Sequence, residues 1–267
     1  MLVQQPEQQA PPLPPTALQR LVDACRAELD GSDAPPAAAA VSVVRGMIDK
    51  IGPDDVGLMD DARFSDEMNG AAAGDRQSPP IITCKTVYQC DNFTMAVFFL
   101  PPGAAMPLHD HPGLTVFSKL LVGSARVVSY DWAHPRRRRA CAAAAAGSSE
   151  APPGMMLAEK VLDGDFTAAS GAWVLFPDAG GNMHRFRAGE DGPCAFLDVL
   201  TPPYSPARQG ACAFYQDIPY HLHDDPDAVS GGELTEEQKR RLAWLQKIDE
   251  PKDLRISNLP YKGPPIF

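Results

Sequence analysis

The chain lacks a surplus of positive charge: 24 Lys and Arg stand against 34 Asp and Glu in 267 residues, a formal net charge of −10. DNA and RNA are held by positive surfaces, so direct nucleic-acid binding is not expected. The chain also lacks any apolar run near the roughly 18 residues that a membrane helix requires. The opening Met1-Leu-Val-Gln-Gln-Pro6 has no charged flank ahead of an apolar stretch. A soluble, non-secreted protein without a membrane partner is therefore expected. Cysteines 25, 84, 90, 141, 194 and 212 form no Cys-x-x-Cys pair, which argues against a disulfide framework or a zinc motif and for reduced thiols. A Gly-x-Ser-x-Gly nucleophile elbow is absent, and with it Ser-His-Asp catalysis. A phosphate-binding Gly-x-x-x-x-Gly-Lys-Ser/Thr loop and a dinucleotide fingerprint are absent too.

What is present is enough apolar material, 44% of residues, for one barrel-sized domain with appendages. Residues 1–15 are rich in Gln and Pro and read as disordered. Residues 16–79 read as a helical segment on the outside of a barrel, followed by a connecting loop. Thr16 caps a helix whose apolar face is Leu18, Leu21, Val22, Cys25 and Leu29, and Val41, Val44, Met47, Ile48 and Ile51 mark a second. From residue 80 to 230 the pattern becomes strands, at 81–88, 93–100, 106–111, 115–121, 126–132, 156–162, 173–176, 183–187, 195–200 and 213–215. Many short strands separated by Gly, Pro and Asp turns point to a mainly β barrel or sandwich. An insertion at 133–155, containing four consecutive arginines at 136–139 and an alanine run, reads as a surface loop, with a nuclear-import signal as the alternative. Residues 231–267 read as a C-terminal helix and an extended tail. Thr235-Glu-Glu-Gln238 is a capping box, and Leu242, Leu245 and Ile248 continue a helical stripe up to Pro251.

Chemistry concentrates on histidine. His109 and His111 are two residues apart, so on a strand they share a face. An isolated His-x-His is more often two surface histidines. Here Gly103 precedes the pair by six residues and Gly123 follows it by twelve. A short apolar strand, Gly171 to Pro177, then leads through a Gly-rich turn to His184, a local design suited to delivering a third ligand. Three imidazoles suit Fe, Zn, Cu or Ni. His134, His221 and His223 lie beside the basic loop or before Asp224-Asp225-Pro226 and read as surface residues. Asp198 interrupts the apolar strand 196–200 and needs a partner, because a lone buried carboxylate is costly. That partner is either a ligand histidine or the ammonium group of a substrate.

The glycine and histidine spacing resembles the first motif of the cupin barrels, and Gly171, Pro177 and His184 resemble a loosened second motif. Where many cupins carry a carboxylate ligand, this chain has Thr115 and Val116. More specifically, Pro107 to Ser124, Ser129-Tyr-Asp-Trp132, Gly181-Asn-Met-His184 and Leu197 to Tyr204 resemble the plant cysteine oxidases, relatives of cysteamine dioxygenase. The resemblance runs from about Leu18 to the Pro-Tyr-Lys-Gly-Pro tail. It implies a cupin double-stranded β-helix and a non-haem Fe(II) centre on His109, His111 and His184. It further implies Asp198 and Tyr204 as catalytic and substrate-binding residues, and Cys212 near the mouth of the site. The implied reaction uses O2 to convert the N-terminal cysteine of a protein, a group VII ethylene-response factor, to cysteine sulfinic acid, which feeds an N-degron and makes the enzyme an oxygen sensor. A monomer acting in cytoplasm and nucleus is expected. The alternatives are a dioxygenase of free cysteine or cysteamine, and a non-catalytic metal-binding cupin.

Overall fold

The computed structural model describes residues 14–58, 79–133, 154–205, 212–223 and 235–267. The readings for the first thirteen residues, for most of the connecting loop that ends the 16–79 segment, for the Arg/Ala insertion and for His134 lie outside the described residues. Two β-sheets form the frame. The first contains β1 (Ile82–Gln89), β2 (Thr94–Leu100), β4 (Thr115–Val122), β7 (Trp173–Leu175), β9 (Cys194–Thr201) and β12 (Ile256–Asn258), in the order β12-β1-β2-β9-β4-β7. The second contains β3 (Ala105–His109), β5 (Ser124–Trp132), β6 (Met155–Thr167), β8 (Met183–Ala188), β10 (Phe214–Pro219) and β11 (Leu242–Ile248), and closes on itself as β10-β11-β6-β5-β8-β3. This is the double-stranded β-helix of a cupin.

Side-chain alternation explains why the first sheet reads as nearly continuous apolar sequence: it is buried on both faces. Met95, Val97 and Phe99 of β2, Phe117 and Leu121 of β4, and Leu197 and Val199 of β9 pack outward with Leu18, Leu21 and Val22 of α1 (Ala17–Glu28) and Val44 and Ile48 of α2 (Ala38–Ile48). Their neighbours Leu100, Leu120 and Phe196 face inward, against Val127, Phe186 and Ala188 of the second sheet. Thr16 caps α1, its hydroxyl accepting from the Gln19 amide at 3.0 Å. The far end of α2 is held by the barrel itself, where buried Lys119 donates from Nζ to the carbonyls of Asp49 and Ile51, each at 2.7 Å. Between β4 and β5 sits Gly123 at φ +77, where a Cβ would collide with the Pro193 carbonyl, so the tight approach of that turn to the start of β9 admits only glycine.

Two expectations are corrected. The capping box at Thr235 is present, but the helix it opens, α3 (Glu236–Arg241), stops at Arg241. The residues Leu242 to Ile248 form β11, paired with both β10 and β6. Leu242, Ala243, Trp244 and Leu245 are all buried. A helix would bury one stripe of them, whereas a strand sends Ala243 and Leu245 into one apolar cluster and Leu242 and Trp244 into another. The strand expected at 213–215 likewise runs further, as β10, its ladder to β11 extending from Phe214 to Pro219. The tail crosses back over the outside: β12 pairs in parallel with β1, and the Phe267 amide donates to Gln19 Oε1 at 2.8 Å.

Candidate metal centre

His109 ends β3 and His184 lies near the start of β8; the two are directly paired across the antiparallel ladder, which puts both imidazoles on one face. His111 lies past the end of β3, not on the strand as the His-x-His reading supposed. Its place is set by Asn182, a buried amide. Asn182 Oδ1 accepts from the His111 main-chain N–H at 2.8 Å, while Nδ2 donates to the His111 carbonyl and to the Phe176 carbonyl, both at 3.1 Å. The side chain thus does for one residue what a neighbouring strand would do. The three ring centroids form a triangle 4.8 Å on each side. One ring nitrogen from each histidine lies within 4.8 Å of the others, the one such group of metal-capable side chains among the described residues, and no carboxylate joins it.

Electrostatics favours neutral rings. Burial holds the His109 imidazolium below its ordinary range. Burial, then the His109 charge, pushes His111 down to about 3. Burial, then both neighbours, takes His184 well below its usual value. At neutral pH the centre offers unprotonated nitrogens with lone pairs available, the state a metal requires. His109 Nδ1 lies 2.7 Å from the Pro107 carbonyl, and His111 Nδ1 turns to the Asn182 carbonyl at 3.4 Å, leaving Nε2 of each for the centre. His184 Nδ1 is buried without a hydrogen-bond partner, an orphan that the free protein carries at a cost. An all-imidazole set, neutral, convergent and lacking an acid, fits Fe(II) among the ions that imidazole suits.

Asp198 stands on the opposite wall. Phe186 of β8 meets Phe196 of β9 with ring centroids 4.6 Å apart, fixing the register of the two sheets across the interior. Two residues before Phe186 on β8 and two residues after Phe196 on β9, on the same faces, come His184 and Asp198. Face-to-face sheets are about 10 Å apart, room for a small group between imidazole and carboxylate. Asp198 makes no bond to a ligand histidine; its Oδ1 accepts from Ser118 Oγ at 2.5 Å. Burial raises its pKa to about 7, with the Ser118 hydrogen bond pulling the other way. The expected site of a carboxylate ligand holds buried Thr115 and Val116, and Val116 packs in an apolar cluster with Leu175 and Leu200. Tyr204 lies beyond the end of β9 and is 38% exposed, outside the buried imidazole group. Cys212 is half-buried beside Ala213, and burial followed by the charge of Asp110 pushes its thiol up to about 12, so it is a thiol at neutral pH. His221, in the turn after β10, is exposed.

The PCO_ADO family model matches residues 47–266. The chain belongs to the PCO_ADO family. Within it, plant cysteine oxidase 1 of Arabidopsis thaliana is 36% identical over 260 residues, covering 94% of this chain and 80% of its own. Plant cysteine oxidase 2 of the same plant is 36% identical over 253 residues, with coverages of 93% and 83%. Human 2-aminoethanethiol dioxygenase is 31% identical over 199 residues, with coverages of 70% and 69%. These PCO_ADO relatives are oxygen-using enzymes, and the chain is an enzyme of that family.

Three residues that shape the centre lie within the stretches that carry the resemblance but were given no role in the sequence reading. Asn182 is the first. Asp110, between the two histidines, is the second: its carboxylate accepts from the Ala213 amide at 2.8 Å and the Tyr215 hydroxyl at 2.9 Å, tying the ligand turn to β10. Asp131 is the third, accepting from the Gly181 and Gly180 amides at 2.7 and 2.9 Å and so anchoring the turn that delivers His184. Asp110 alone had a readable clue, a charged residue enclosed in a ligand motif.

Proposed function

We propose that the protein is an Fe(II)-dependent thiol dioxygenase that oxidises the N-terminal cysteine of protein substrates to the sulfinic acid. The observation that carries this reading is a buried centre of three neutral imidazoles with no acidic ligand among the described residues, in a barrel whose other sheet carries the buried carboxylate of Asp198. Iron(II), held by His109, His111 and His184, would supply open positions where a thiolate sulfur and dioxygen react. The chain's own residues do the rest. Neutral ligands leave the full charge of the ion to attract a thiolate. Asp198, ionised above about pH 7, receives the substrate ammonium while the Ser118 hydroxyl donates to its Oδ1. Phe186, in ring contact with His184, packs with Phe196 and Trp173 and gives the site an apolar aromatic wall.

A peptide substrate is favoured over free cysteine by the placement of the cations. Arg185, on the strand face opposite His184, is bound to Asp217 at 2.6 Å, and Arg187 pairs with Glu190 at 2.9 Å. Neither is placed to clamp a free α-carboxylate, the task for which guanidinium is suited. The names of the plant relatives support cysteine as the target. Group VII ethylene-response factors are the substrate class we assign, which makes the protein an oxygen sensor acting through an N-degron, as a monomer in cytoplasm and nucleus. Oxidation of a small free aminothiol is the second reading, favoured by the name of the human relative. Incubating iron-loaded protein separately with a Cys-initiating peptide, free cysteine and cysteamine decides between them. A mass gain of about 32 Da on the peptide alone is expected; a gain on the free thiols alone would overturn the peptide reading.

A further inference from the structure

Two of the three ligand imidazoles have their outward Nδ1 turned to a main-chain oxygen, while that of His184 is buried with no partner. One other orphan lies beside it. The hydroxyl of Ser129 is also buried and also without a hydrogen bond, and Ser129 is the residue directly paired with His184 across the β5–β8 ladder. Directly paired residues of an antiparallel ladder project to the same face, with Cβ atoms about 5 Å apart. The remaining buried orphans among the described residues, Thr94 Oγ1 and Trp173 Nε1, belong to the other sheet.

The two atoms are chemically complementary. A histidine that gives Nε2 to a metal carries its proton on Nδ1 and must donate it, and metal sites usually provide the acceptor. A serine hydroxyl is an acceptor that reaches several directions through its staggered rotamers. Ser129 is also confined: it lies under Gly181, at φ +84, where a Cβ would come within 2.5 Å of the Ser129 Cβ and 3.0 Å of its Oγ. The glycine therefore lets the turn that delivers His184 close down on the serine.

We propose that Ser129 is the positioning residue of His184, its Oγ accepting from Nδ1–H when Nε2 is given to the metal. This rests on the three-histidine reading of the centre but not on the identity of the substrate. The sequence places Ser129 in the Ser129-Tyr-Asp-Trp132 stretch but gives no reason to single out the serine within it.

The test is Ser129→Ala in the full chain, measured by titrating the metal-free protein with Co(II) and following its visible ligand-field bands, together with the thermal midpoint of the metal-free protein. The alanine removes the acceptor and keeps the space under Gly181. Co(II) affinity is expected to fall roughly 10- to 100-fold, the usual cost of losing such a partner. The metal-free midpoint is expected to stay or rise, because an unpaired buried hydroxyl has been removed. Ser129→Thr, which restores a hydroxyl, should recover part of the affinity. Co(II) affinity within twofold of wild type in Ser129→Ala would overturn the proposal, as would a drop in the metal-free midpoint that accounts for the whole loss. Wild-type protein that binds no Co(II) would remove the metal centre itself, whereas metal binding without thiol oxidation would remove only the proposed reaction.

Discussion

Asp198 concentrates the conflict between stability and function that a pocket carboxylate creates. Its pKa, raised by burial to about 7, exceeds the unfolded value of about 3.9. The folded state therefore holds the extra proton between those values. The favourable contribution is complete below the unfolded pKa and is lost as pH rises through the folded one. At pH 8 the ionised carboxylate costs at most ~4 kcal/mol. Asp198→Asn should consequently raise the thermal midpoint more at pH 8 than at pH 5, and the same variant should lose at least about tenfold in kcat/KM on an amine-bearing thiol. A thiol of the same length without the amine should feel the substitution little. Equal losses on both substrates would mean that the carboxylate does not read the ammonium. His184→Ala leaves a folded barrel and removes one of three ligands, so metal retention through gel filtration and turnover should vanish together. Retained turnover would place the third ligand elsewhere. The histidines were legible in the sequence because metal ligation demands specific residue types at fixed spacings. Asn182, Asp131 and Ser129 were not, because their work is to hold backbone and rings in place, and many local sequences can do that.

At the scale of elements, strands were readable where alternation or a continuous apolar run matched their burial, as in β2, β4 and β9. The misreading fell at Leu242–Ile248, where Leu242, Leu245 and Ile248 happen to repeat at helical spacing behind a true capping box. Barrel closure overrode that local pattern, since both faces of the segment find apolar partners only when it is extended. Trp244→Ala, which empties a fully buried position stacked on Tyr220, should cost about 3–5 kcal/mol. If the segment were a surface helix, the loss would be far smaller. Lys119 joins the other pair of elements. Lys119→Met leaves two carbonyls at the end of α2 without their donor and should lower stability by about 2–3 kcal/mol. The denaturant midpoint should fall with an unchanged slope, and Co(II) affinity should be kept, since Lys119 faces the helices and not the barrel interior.

For the whole molecule, the helices and the tail buttress one face of the first sheet while the reactive groups occupy the space on its other face. That arrangement uses binding energy to stabilise the fold: metal at about 100 times its Kd should add about 2.7 kcal/mol, seen as a higher thermal midpoint that a chelator reverses and that His184→Ala lacks. Strand count pointed only to a barrel or sandwich, and the cupin architecture came from a resemblance in glycine and histidine spacing. The placement of Asp198 relative to the centre needed the sheet-to-sheet register, which no single strand encodes. The most direct test of thiol dioxygenation at a three-imidazole iron centre is the reaction of the iron-loaded protein with a Cys-initiating peptide under 18O2 in ordinary water, read by mass spectrometry. The expected product is heavier than the peptide by about 36 Da, both oxygens of one O2 molecule having been placed on sulfur. A gain of about 34 Da, with one oxygen from water, or a disulfide in place of the sulfinic acid, would contradict it.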